Sequence, residues 1–352
     1  MDIAWATLRN AIAGFATRST RVVLVGDSLI DRWILGSLER VSPDAPCPVL
    51  RVDSRLDTPG GAGNISRQLG HLNISVCFDT LCSREQVPAL RVKRFSPLVD
   101  LEIAKRIRCV ARGQIIFRAD EDDKCLFNLS PPILAAAQQA IAIHIGNLLP
   151  GAEALIIADY GKGTLSSALV RQIVNRGSEV LTIGCPKPGS IPLCDFIGCR
   201  VIQVNAKEAM IFADTDALST ASAIIASKTG AETVVITRGE SNPLINGTFA
   251  NKDAPLPAVP FAPWVCGAGN CFTAWLTAGL LAGIGAEWAA TFAHIAGRIY
   301  VNQPFSVPVT LDDMNHYLQK ELRDENLHGR RNGVGKIHAG VPDQSNLRCA
   351  RS

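Results

Sequence analysis

Gly267-Ala268-Gly269-Asn270 runs directly into the apolar stretch 271–284, so a glycine-rich turn opens a helix of about four turns. The run is shorter than the roughly 20 apolar residues a membrane span needs, which makes it a core helix. Asparagine is a good helix cap and has nearly the shape of aspartate, yet it accepts no proton at neutral pH. Outward from this turn, short β-branched runs at 22–25, 154–158, 180–183, 200–204 and 233–237 read as buried parallel strands. Helical stretches at 133–149, 166–176 and 218–229 alternate with them. The alternation predicts a doubly wound, mostly parallel α/β sheet with ligands at the carboxyl ends of its strands.

Two regions break that rhythm. Residues 33–58 and about 102–120 alternate apolar with charged side chains, which suits exposed antiparallel strands and predicts a small β lid. Residues 3–15 read as an amphipathic helix, and the stretch from 323 to 352 lacks periodicity and reads as a flexible polar tail.

Composition narrows the class. The chain has 352 residues, 47% hydrophobic and 19% charged, enough to bury a sizeable core. Its formal charge of +3 is small, and its basic residues are scattered except near the end, so neither nucleic acid nor a membrane is expected as a partner. Eleven cysteines, an odd number without a Cys-x-x-Cys pair, fit a reducing compartment, and cytoplasm is the expected location. Asp2 and Arg9 interrupt any apolar leader. No direct metal site is expected from the cysteine spacing.

Three polar clusters follow predicted strands. Gly26-Asp27, Asp31-Arg32 and then Gly60-Gly61-Ala62-Gly63-Asn64 combine carboxylates that accept from hydroxyls with glycines that let a backbone approach a ligand. Asp159-Tyr160-Gly161-Lys162-Gly163 offers an Asp for a hydroxyl or a metal-bound water and a Lys for a phosphate. The alternative there is a loop whose Asp helps to cap the next helix. Asn205-Ala206-Lys207-Glu208 could organise a magnesium shell through waters or be a helix cap.

In this order the clusters resemble the ribokinase, or PfkB, family of sugar kinases, and within it the heptose-phosphate kinase subfamily that supplies ADP-heptose precursors of lipopolysaccharide. The resemblance covers about 21 to 317. It rests on Val25 to Trp33, Arg40 to Val49 with its Ser42-Pro43-Asp44-Ala45-Pro46 segment, Asp159 to Gly163, Asn205 with Glu208, Thr237-Arg238-Gly239, and Lys105 and Arg108 with Gln114 and Arg118. It implies a ribokinase-like domain over 21–322 preceded by a helix over 1–20, ATP and Mg2+ as cofactors, a phosphosugar substrate and a homodimer paired through the lid. Asp31, Arg32, Gly60, Gly61, Asn64, Arg108, Asp159 and Lys162 would then serve the sugar. Lys187, Asn205, Glu208, Thr237, Arg238 and Gly239 would face the nucleotide and magnesium. The amides of Gly267, Ala268 and Gly269 would form an anion hole, with Asn270 at the position of the catalytic base.

Departures from the family pattern gather on one side of this site. Where the family has Asp-Thr-Gly-Ala-Gly-Asp, the chain has Val265-Cys266-Gly267-Ala268-Gly269-Asn270 after Trp264, and both carboxylates are gone. Asp-Pro-Lys becomes Cys185-Pro186-Lys187, a nucleotide-side glycine becomes Asn242, and the Lys-Leu-Gly-Thr loop becomes Asn302-Gln303-Pro304-Phe305. A general base is typically worth about 10² to 10⁴ in rate, so these losses together point to weakened transfer with sugar binding retained. An active kinase using Asp159 or water as base, and a non-catalytic scaffold or regulatory partner, are the alternative readings.

Overall fold

The computed structural model describes residues 1–82, 104–122, 129–249 and 264–328. Met1–Met314 form one compact unit, and a second runs from Asn315 onward. Helix α9 (Leu311–His328) begins in the first unit and ends in the second.

The main sheet is built on β1 (Arg21–Gly26), β4 (Ser75–Asp79), β7 (Ala154–Ala158), β8 (Leu181–Cys185), β9 (Val201–Asn205) and β10 (Thr233–Arg238), with β11 (Ser241–Ile245) and β12 (Thr248–Phe249) at one edge. Its order is β12-β11-β10-β9-β8-β7-β1-β4. Pairing is parallel from β4 to β10 and antiparallel for the last two strands. Every side chain of β7 is buried, as a strand covered on both faces requires, and each such Leu or Ile contributes roughly 1.5–3 kcal/mol.

Helices α3 (Pro131–Leu148), α4 (Ser167–Arg176), α5 (Ala206–Ala213) and α6 (Leu218–Thr229) supply one apolar layer: Ile141, Ile145, Ile173 and Ile225 join Leu155, Ile157 and Val234 of the sheet in one core cluster. The remaining helices are α1 (Asp2–Phe15), α2 (Ala62–His71), α7 (Ala268–Leu281) and α8 (Ala286–Val301). In α7 every residue from Asn270 to Gly279 is buried, so the apolar stretch is a core helix as expected. Among the described residues no single helix is long and apolar enough to cross a membrane.

The second sheet exceeds the expected lid. Strands β2 (Ser28–Val41) and β3 (Pro48–Gly61) are antiparallel partners over their whole length, β5 (Lys105–Ala111) joins β2 in parallel, and β6 (Gln114–Glu121) closes the edge. The sheet begins two residues after β1 and returns at Gly61 to the start of α2. Both ends of the long hairpin therefore sit at the carboxyl end of the main sheet.

Candidate functional site

The polar clusters converge along that edge. Asp27, just past β1, is buried and fully engaged: its carboxylate accepts from the backbone N–H groups of Tyr160 at 3.0 Å, Lys162 at 2.9 Å and Thr164 at 2.8 Å. It shapes the loop after β7 and is not available to a hydroxyl. Asp159 has a similar task. Its oxygens accept from Gly161 N–H and Ser190 Oγ, each at 2.8 Å, and from Ile191 N–H at 3.3 Å. The next helix is capped by Ser166, which accepts from Leu169 N–H, so Asp159 stabilises loops rather than a helix end. Burial raises its pKa above the ordinary carboxylate value, against the lowering by those hydrogen bonds.

On the lid, Asp31 and Arg108 form a buried ion pair at 2.6 Å, each side chain 5% exposed. The guanidinium also lies over the Trp33 ring, 5.0 Å from its centroid, and Cys266 Sγ is 3.6 Å from Asp31 Oδ1. Gly60 is required here, because a Cβ would stand 2.5 Å from Asp31 Oδ2. Trp33 meets Trp264 and Phe305 edge-on, each with centroids 5.7 Å apart, Trp264 and Phe305 are tilted at 5.3 Å, and the three wall the ion pair from one side. Arg32, on the opposite face of β2, makes a double hydrogen bond to Asp57 at 2.7 Å and is not part of this group. Lys162 reaches Asp122 at 3.1 Å, and Asp122 also pairs with Arg106 at 2.8 Å, so the loop after β7 is tied to the lid.

Gly61 adopts φ +56° and opens α2, placing Asn64 one turn inside. Asn64 is fully buried; its Nδ2 donates to the Tyr300 hydroxyl at 3.1 Å and its Oδ1 accepts from Gln68 at 3.4 Å. Gly267 lies against both groups with φ +86°, and a Cβ there would collide with Asn64 and Tyr300. Gly267 is also the helix cap, for its carbonyl accepts from Asn270 and Cys271 N–H, both at 3.0 Å. Asn270 therefore falls three residues too deep to cap, contrary to the expectation from its residue type. Its Oδ1 instead accepts a 2.5 Å hydrogen bond from the Tyr160 hydroxyl. Burial pushes that phenol well above its ordinary range, so it keeps its proton. Of the three amides in the turn, Ala268 N–H is donated to Val265 at 3.3 Å.

The remaining predicted residues line the ends of β8 to β10. Asn205 and Glu208 form a complete capping box on α5, at 2.9 and 3.0 Å, and Lys187 pairs with Glu208 at 3.2 Å. Cys185 Sγ lies 3.6 Å from Gln203 Oε1, which also accepts from Thr273, one turn beyond Asn270. Burial pushes the Cys185 thiol up to about 12, so it supplies no negative charge. Thr237 Oγ1 donates to Val204 O at 3.5 Å, Arg238 donates to Asn242 O at 3.2 Å, and Gly239 makes the β10–β11 turn with φ +62°. Among the described residues no group of three His, Cys, Asp or Glu could hold a metal ion. Tyr160, Tyr300 and the Trp33–Trp264–Phe305 cluster were not singled out from sequence, since isolated aromatic residues carry no spacing signal.

No protein-family model matches the chain. It is 29% identical over 321 residues to the bifunctional protein HldE of Caulobacter vibrioides, covering 86% of this chain and 63% of that protein. It is 28% identical over 324 residues to the protein of the same name from Paramagnetospirillum magneticum, with 86% and 64% covered. The chain thus spans less than two thirds of these relatives' length. Among solved structures, Escherichia coli phosphofructokinase-2 in complex with substrates and products matches with TM-score 0.66, 15% identity and coverage of 84% and 97%. Arabidopsis thaliana ribokinase complexed with ribose and ATP matches with TM-score 0.60, 12% identity and coverage of 84% and 98%. The chain has the ribokinase-like fold. The structural matches carry the fold, and the HldE matches carry the likeness in sequence.

Proposed function

We propose that this sugar-kinase-like protein binds a phosphosugar of the heptose-phosphate type and transfers a phosphoryl group weakly or not at all. The observation that carries this reading is the Tyr160–Asn270 hydrogen bond. The position of the acceptor's base holds a neutral amide whose oxygen is already taken by a protonated phenol. Asp159 is a poor replacement because three donors occupy its carboxylate.

The nucleotide side supports the same reading. A magnesium shell would have to share Glu208 with Lys187 and with the Asn205 backbone, and it would gain no charge from Cys185. That leaves a weakened shell, with Glu208 as its carboxylate. ATP, which the Arabidopsis ribokinase binds, would approach Thr237, Arg238, Gly239 and Lys187 if it binds this chain.

The sugar side keeps its charge and its shape. Asp31 would accept from sugar hydroxyls, Gly60 and Gly61 would allow close backbone approach, and Arg108 and Lys162, paired with Asp31 and Asp122 in the free protein, would turn to the phosphate. Exposed Val52, Ile115, Ile116 and Phe117 on the lid suit a homodimer interface. Cytoplasm is the proposed location. Calorimetric titration with a panel of phosphosugars including heptose 7-phosphate tests the binding half of the proposal. Saturable binding that Asp31→Asn weakens at least about tenfold supports it, while equal binding by both proteins contradicts it.

A further inference from the structure

Helix α8 carries a second polar group that the reading above does not use. Arg298 is 5% exposed, and its Nε and Nη1 are buried without a hydrogen-bond partner among the described residues. His294 lies four residues earlier on the same helix face, is 6% exposed, and leaves its Nε2 buried and unpartnered as well. The imidazole bonds to the backbone of Glu240 in the β10–β11 turn, which fixes where this face of α8 points. Two residues beyond Arg298, the Tyr300 hydroxyl meets Asn64 beside Gly267. The His294 end of the pair therefore faces the turn after β10, while Tyr300 points to a different face of the helix.

A buried guanidinium without a counter-ion is expensive. An isolated buried charge is ordinarily paired, hydrogen-bonded or neutralised, and arginine cannot lose its proton. Neighbouring Arg298 also disfavours protonation of His294, so the cluster has no internal compensation. We propose that Arg298 is an anion-binding residue that takes a phosphate group through Nε and Nη1, with the His294 ring as the adjoining wall. The planar fork of an arginine matches two phosphate oxygens. The phosphate belongs either to a nucleotide or to a free ion; the chemistry is shared. The site does not depend on phosphoryl transfer or on Asp31.

The test is thermal unfolding and calorimetry of the full chain and of Arg298→Met, with inorganic phosphate, ADP and adenosine as probes. The unliganded variant is expected to melt above the unmodified protein, because the unpaired charge is gone. Phosphate or ADP should raise the melting temperature of the unmodified protein and bind the variant at least about tenfold more weakly. Binding of ADP alone assigns the phosphate to a nucleotide, and binding of phosphate alone assigns it to the free ion. The proposal is overturned if neither anion binds, if both bind the variant equally well, or if adenosine stabilises as much as ADP. Should Arg298→Met fail to fold, Arg298→Lys takes its place: it keeps the charge but loses the fork, and unchanged affinity for both anions would overturn the two-oxygen contact. Phosphosugar binding measured in parallel distinguishes failure here from failure of the sugar site.

Discussion

Asp31 and Arg108 form the most buried ion pair among the described lid residues. Arg108→Met would strand a carboxylate that is 5% exposed, and a loss of roughly 3–5 kcal/mol is expected by denaturant unfolding. Asp31→Asn combined with Arg108→Met should recover part of that loss, since no uncompensated charge remains. His294 behaves differently. Burial, then the nearby Arg298, lowers its pKa to about 4 against an ordinary 6.5. The folded state thus binds fewer protons than the unfolded chain between those values. Stability present above pH 6.5 is lost as pH falls toward 4, by about 3 kcal/mol in total. Burial-raised Asp79 and Asp159 slope the other way just above their ordinary range. The comparison that isolates the histidine is therefore the unmodified protein against His294→Gln across this window, and a parallel pair of curves would contradict the assignment.

Helices α7 and α8 are in close contact at Gly279, where a Cβ would stand 2.7 Å from Ala289 Cβ and 2.8 Å from its Cα. Gly279→Ala must push the two helices apart, and a destabilisation of about 1–3 kcal/mol is expected from thermal melts. The strands and helices were legible in the sequence because each has the period and length of its type: residues 154–158 are uniformly apolar and buried, and 218–229 ends at a left-handed Gly230. The lid's extent was less legible. Trp33 and Asp31 are buried within a hairpin of mixed polarity, so alternation understated a sheet that begins at Ser28. Within the site, Asp27 and Asp159 looked alike in sequence to ligand carboxylates. Only the fold shows that backbone amides surround both. Asn270 illustrates the same limit, since a helix that starts three residues earlier turns a cap into a buried acceptor for Tyr160.

At the scale of the molecule, the lid bears the proposed pairing surface and the main sheet carries the chemistry. Phe117, 60% exposed on β6, is the most exposed large apolar side chain of the described lid strands after Val41. Phe117→Arg is expected to yield a monomer by light scattering where the unmodified protein is a dimer, and an unchanged mass would place the interface elsewhere. Across the sheet's carboxyl edge, the sugar-side groups retain charge and shape while the transfer position holds an amide, a thiol and a shared glutamate. The measurement that tests this division most directly is ADP release by the unmodified protein and by Asn270→Asp, with ATP, magnesium and a panel of phosphosugars. The account predicts little or no sugar-dependent turnover by the unmodified protein and a rate at least about tenfold higher in the variant, below the roughly 10² to 10⁴ of a fully effective general base. Sugar-dependent ADP release by the unmodified protein at a rate matched by the variant would contradict it.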